Sequence, residues 1–93
     1  MSEGGDRASH PEIRDRLLRL VAQILGWPEA ATTLPLEGRL NELGMSSIKM
    51  VNLMLAIETE FDLAIPQGDI TPENFRSVAS VEALLERLLG ERA

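Results

Sequence analysis

The stretch LNELGMSSIKMVNLMLAIETEFDLAIP, Leu40 to Pro66, carries the most regular hydrophobic pattern in the chain. From Ser46 onward, Met50, Leu53, Met54, Ile57 and Phe61 recur at spacings of three and four, which predicts one face of an α-helix. Gly44 permits a tight turn just ahead of it, Ser46 is a natural N-cap, and Ser47 falls in the first helical turn. Asp62 to Gln67 breaks the helix, and Pro66 prevents its return. Ile48, Val51 and Leu55 project from the opposite side. A helix that is apolar on two sides is either sandwiched centrally or keeps one strip for a partner.

Working outward, Ser9 and Glu12 have capping-box spacing, with Pro11 in the first turn. Ile13, Leu17, Leu20, Val21 and Ile24 then form a helical stripe, flanked by the acid-before-base pairs Glu12–Arg16 and Asp15–Arg19. Gly26, Trp27 and Pro28 end this first helix. The polar, glycine-containing start reads as a frayed tail, residues 1–8, ahead of one domain, residues 9–93.

Between Gly26 and Met45 no period is sustained, and two prolines, glycines and a threonine pair mark a long connection. Leu34, Leu36, Leu40 and Leu43 are its expected pins, with room for a short helical turn between Glu37 and Glu42. Beyond Pro66, Thr71 caps a short segment with Pro72 at its first position and Phe75 as an anchor. Ser80 is the expected cap of the last helix, whose stripe is Val81, Leu84, Leu85 and Leu88 before Gly90. The reading is all-α: a small four-helix bundle, three main helices plus one short one, with a long loop between helices 1 and 2.

Ninety-three residues leave room for one core only. Zero cysteines exclude a disulfide framework, a thiolate zinc site and a cysteine nucleophile. The sole histidine, His10, sits at the frayed start, and the acids are scattered singly on outer faces, so no metal site and no catalytic residue is expected. No Gly-rich phosphate loop or nucleophile elbow is present. A net charge of −6 is the wrong sign for a nucleic-acid binder. No apolar run spans a membrane, and MSEGGDRAS lacks the apolar stretch of a secretion signal, so a cytoplasmic monomer is expected.

Ser47 is expected to be exposed at a helix N-terminus, where unpaired N–H groups and the helix dipole favour an anionic group. On local pattern alone, a plain capped helix is the favoured reading. The joint pattern Leu43-Gly44-Met45-Ser46-Ser47-Ile48, then Ile57-Glu58-Thr59-Glu60-Phe61, then Ile65-Pro66, resembles the central motif of acyl carrier proteins. Phe75-Arg76-Ser77-Val78 and Val81 to Leu85 are similar to that family's third and fourth helices, so the resemblance covers nearly the whole chain past Ser9.

The resemblance implies a carrier rather than an enzyme. A phosphopantetheinyl transferase would move 4′-phosphopantetheine from coenzyme A onto Ser47, with Gly44, Met45 and Ser46 beside it. The arm's thiol would hold an acyl or aminoacyl group as a thioester, passed from an activating ligase to acyltransferases or condensing enzymes. Ile48, Lys49, Val51, Asn52, Leu55 and Glu58 would form the partner surface. The chain's negative charge would suit basic partners.

Two features depart from the family pattern. Its aspartate before the serine is Ser46 here, which keeps the capping oxygen but removes a charge, and this leaves open an unmodified helical interaction module. The outer face of the second helix carries Lys49, Asn52 and Thr59 in place of acids, which implies partners other than the fatty-acid synthase set. The Ser46-Ser47 pair followed by Leu53-Met54-Leu55-Ala56-Ile57-Glu58 is more similar to stand-alone aminoacyl carrier proteins and other specialised discrete carriers. Met50 and Met54 read as core, Arg39 and Arg76 as solvated surface, and no open tunnel is expected in the unloaded protein.

Overall fold

The computed structural model describes residues 11–26 and 34–92 of the chain. The expected frayed tail, the Ser9 cap, His10, the Trp27-Pro28 stop and the threonine pair lie outside them. Three α-helices of equal length carry the fold: α1 (Pro11–Leu25), α2 (Ser47–Phe61) and α3 (Val78–Arg92). Two 3-10 turns, Leu40–Leu43 and Gln67–Asp69, punctuate the connections.

One apolar stripe per helix builds the core. Ile13, Leu17, Val21 and Leu25 from α1 meet Leu53, Ile57 and Phe61 from α2 and Val78, Val81, Leu85 and Leu88 from α3, all buried. Leu20 and Ile24 lie partly buried at its margin. α1 is the shared neighbour, packing on both α2 and α3.

The long connection is held down as its leucines suggest. Leu34 and Leu40 are buried, and Leu36 and Leu43 pack against the core from outside. Two backbone bonds tie this loop to the start of α3: Leu40 N–H donates to Arg76 O (2.8 Å) and Ala79 N–H to Leu36 O (2.9 Å). The loop is therefore pinned along the start of α3, and its last turn delivers the chain to α2.

Three local expectations are corrected. The short helix after Thr71 is a single turn, closed by Phe75 N–H donating to Thr71 O (3.2 Å). Thr71 caps this turn as expected, its Oγ1 accepting from Asn74 N–H, and the Asn74 side-chain amide donates to Asp69 O. Phe75 is buried as the expected anchor. The last helix starts at Val78, so its cap is Ser77, not Ser80. Ser80 N–H donates to Ser77 Oγ and Ser77 N–H to Ser80 Oγ, each 3.1 Å, a reciprocal capping box whose second member is the residue expected to be the cap. Gly90 lies within α3 rather than ending it.

Arg16 also departs from its expected partner Glu12. Its Nε donates to Glu60 Oε2 (2.7 Å), a second guanidinium nitrogen donates to the Glu60 carbonyl (2.6 Å), and the group lies 4.5 Å from the Phe61 ring centroid. A cation on the last carbonyls of α2 complements the helix dipole, which a pair within α1 would not. On the opposite side, Arg14 Nε donates to the buried Glu82 at 3.0 Å, linking α1 to α3. The Glu82 hydrogen bond, then its charge, raises the Arg14 pKa above its ordinary value.

α2 ends on Asp62, which adopts the left-handed conformation at φ 53° and ψ 55°. A side chain is strained there, and glycine is not. Asp62→Gly is therefore expected to raise stability by about 0.5–1 kcal/mol in a denaturant titration.

Candidate phosphopantetheine site and docking face

The site is built by the sharp reversal between the 3-10 turn and α2. Gly44 takes φ 104°, and its N–H closes the turn on Asn41 O. An added Cβ there would meet only Leu25 Cδ2 at an ordinary 3.9 Å, so backbone conformation rather than space calls for glycine. The reversal turns Met45 inward: its N–H donates to Leu40 O (3.0 Å) and its side chain is 4% exposed. Met45 is thus packed in the core, which fits a residue that covers the loop better than one that brushes an arm on Ser47.

Ser46 caps α2 as expected, with φ −76° and ψ 172°, and its Oγ accepts from Lys49 N–H at 3.2 Å. Ser47 is the first residue of α2 and is exposed. Its N–H and that of Ile48 have no partner among the described residues, as the first turn of any helix leaves them. A phosphate ester on Ser47 would sit beside these donors at the positive end of the dipole, a contribution of about 0.3–1 kcal/mol. The residues present thus fit a phosphopantetheine attachment point: an accessible hydroxyl, a rigid turn behind it and unpaired donors beside it. Ser46→Ala is expected to cost about 1 kcal/mol in chemical denaturation, whereas Ser46→Asp keeps the cap and gains a few tenths from the added charge.

Past Ser47 the two sides of α2 diverge. Leu53, Ile57 and Phe61 are buried, whereas Ile48 is 75%, Val51 52% and Leu55 57% exposed. Asn52 and Thr59 are exposed on the same side, and Lys49 is half-buried at its edge. Glu58, expected to face a partner, is turned to the fold: its Oε2 accepts from Ile65 N–H at 2.8 Å and secures the Phe61–Pro66 loop.

Sequence reasoning missed a groove of about 570 Å³ beside α2, lined by Met50, Met54, Ile70, Phe75, Arg39 and Arg76 among others. Met50 and Met54 are partly buried, so they pack on the core and also form a wall of this groove. They follow Ser47 at intervals of three and four residues, so the groove descends about 10 Å along α2 from the attachment end. Arg39 and Arg76 are exposed, as expected. The signal for a groove was present in two methionines at helical spacing, but it is shared with ordinary core.

Among the described residues, no group of three or more His, Asp or Glu side chains could hold a metal ion, and no helix is long and apolar enough to cross a membrane.

Comparison with known proteins agrees with this geometry. Residues 15–88 match the family model described as a phosphopantetheine attachment site. Aminoacyl carrier protein 1 of Bradyrhizobium diazoefficiens is 42% identical over 85% of this chain and 88% of its own length. Aminoacyl carrier protein 2 of the same organism is 44% identical over 84% and 88%. Among solved structures, a chain from the complex of Bradyrhizobium japonicum glycine:carrier-protein ligase with glycylated carrier protein matches with a TM-score of 0.64 and 44% identity, over 77% of this chain and 97% of that one. The holo acyl carrier protein of Nitrosomonas europaea, 22% identical, shares the fold with a TM-score of 0.75 over 83% of this chain and 95% of its own. With its all-α fold, its capped serine turn and a match spanning most of its length, the chain belongs to the acyl carrier protein family and carries that family's phosphopantetheine attachment site.

Proposed function

We propose that Ser47 bears the 4′-phosphopantetheine arm and that the chain carries an aminoacyl group between an amino-acid-activating ligase and later acyl-accepting enzymes in the cytoplasm, with no catalysis of its own. The exposed Ser47 hydroxyl at the capped start of α2 carries this reading. The bound arm supplies a terminal thiol on which the cargo is held as a thioester. The protein's own part is to present that arm: Gly44 sets the turn, Ser46 fixes the helix start, and the Ile48–Val51–Leu55 strip with Lys49 and Asn52 offers the docking surface.

Aminoacyl cargo is favoured by the two relatives named aminoacyl carrier proteins and by the carrier solved with a glycine ligase. The test has two stages. Coenzyme A and a broad-specificity phosphopantetheinyl transferase should add one arm to the protein by intact mass. Glycine, ATP and a glycine:carrier-protein ligase should then add one glycyl group, removable by hydroxylamine as a thioester. Absence of the first mass gain rejects the carrier reading, and absence of the second rejects glycine cargo.

A further inference from the structure

An acidic chain would be expected to dock through acids on its recognition helix, but both carboxylates within α2 are engaged by other parts of the fold. α2 contains two carboxylates, Glu58 and Glu60. Glu60 is paired with the Arg16 guanidinium at 2.7 Å, and Glu58 is turned to the Ile65 N–H. Glu58 also lies nine residues beyond Lys49, about 13 Å along the axis and more than a Debye length at physiological salt.

Near the attachment end the balance is reversed. From Arg39 through Leu55 the charged residues are Arg39, Glu42 and Lys49, a net positive stretch in a chain of net charge −6. Lys49 follows directly on Ser47 and Ile48, and its ammonium has no partner among the described residues. Asn52 and the strip of Ile48, Val51 and Leu55, all more than half exposed, supply the uncharged remainder.

We infer that this face is read by a partner surface of opposite design: an apolar recess for Ile48, Val51 and Leu55, flanked by a carboxylate that meets Lys49. The inference rests on the carrier reading above and commits to the activating ligase as the partner. Apolar burial supplies the adhesion, and the single cation fixes register and excludes basic surfaces, since like charges brought together in an interface are costly. The chain's overall negative field acts on the approach of any partner, so the discriminating quantity is the order of variants at one position rather than the salt dependence of the parent.

The experiment measures the KM of a glycine:carrier-protein ligase for the holo protein and for holo Lys49→Gln, Lys49→Glu and Asn52→Glu at fixed ionic strength, with folding checked by circular dichroism. KM should rise about threefold for Lys49→Gln and tenfold or more, roughly, for Lys49→Glu and Asn52→Glu, with kcat little changed. Equal KM values across the series, or tighter binding by the glutamate variants, overturn the inference while leaving the carrier reading intact. Failure of the ligase to load the parent holo protein overturns the ligase assignment and this inference together. Failure to acquire the arm strikes the carrier reading itself.

Discussion

Ser47→Ala is expected to abolish attachment of phosphopantetheine completely while leaving the fold unchanged. The hydroxyl is the only group at that position able to form the ester, and it is exposed, with the capping of α2 performed by Ser46 instead. Alanine at the first turn of a helix is well tolerated, so stability should stay within about 0.5 kcal/mol of the parent. Ser46→Ala provides the counterpart: it should accept the arm at Ser47 but unfold earlier, because it loses the bond from Lys49 N–H. Intact mass after incubation with coenzyme A and transferase separates the two. A mass gain that persists in Ser47→Ala and vanishes in Ser46→Ala would move the site by one residue.

The second large effect divides α2 lengthwise. Leu53 and Ile57 are wholly buried, so Leu53→Ala or Ile57→Ala should lose about 2–5 kcal/mol through lost apolar transfer and the cavity left behind. For a domain of this size, each kcal/mol corresponds to roughly 4–8 °C in Tm. Val51→Ala and Leu55→Ala remove side chains already more than half in water and should cost about 0.5 kcal/mol or less. The same two exposed changes should weaken ligase loading, which the two buried ones affect only through unfolding. Thermal melts beside KM measurements would show the crossing. Comparable stability losses in both pairs would mean that the outer strip is packed, leaving no apolar docking face.

On the proposed reading, the exposed strip lets an acidic protein dock through a helix face whose own acids are engaged elsewhere. Net charge of −6 sets the long-range field, whereas the proposed docking face is defined by what is left unpaired at short range. Here Arg16 and the Ile65 amide engage the two glutamates of α2, and Lys49 has no ion-pair partner among the described residues.

How far the sequence could be read follows from which interactions are local. The period of Met50, Leu53, Met54, Ile57 and Phe61, the cap at Ser46, the turn at Gly44 and the exposure of Ser47 are all specified within a few residues, and the structure has them where the pattern places them. Helix period and capping depend on the chain's own neighbours, so sequence alone determined the three long helices, the second strip on α2 and the hydroxyl at its mouth. Tertiary structure decided the rest. It turned Met45 into the core, directed Glu58 to the Ile65 amide, drew Arg16 across to Glu60, and opened a groove between the methionines of α2 and the Ile70–Arg76 segment. In each case a polar group or flexible side chain had several partners of similar worth nearby in sequence, and the choice fell to whichever distant backbone or cavity the packed helices brought within reach.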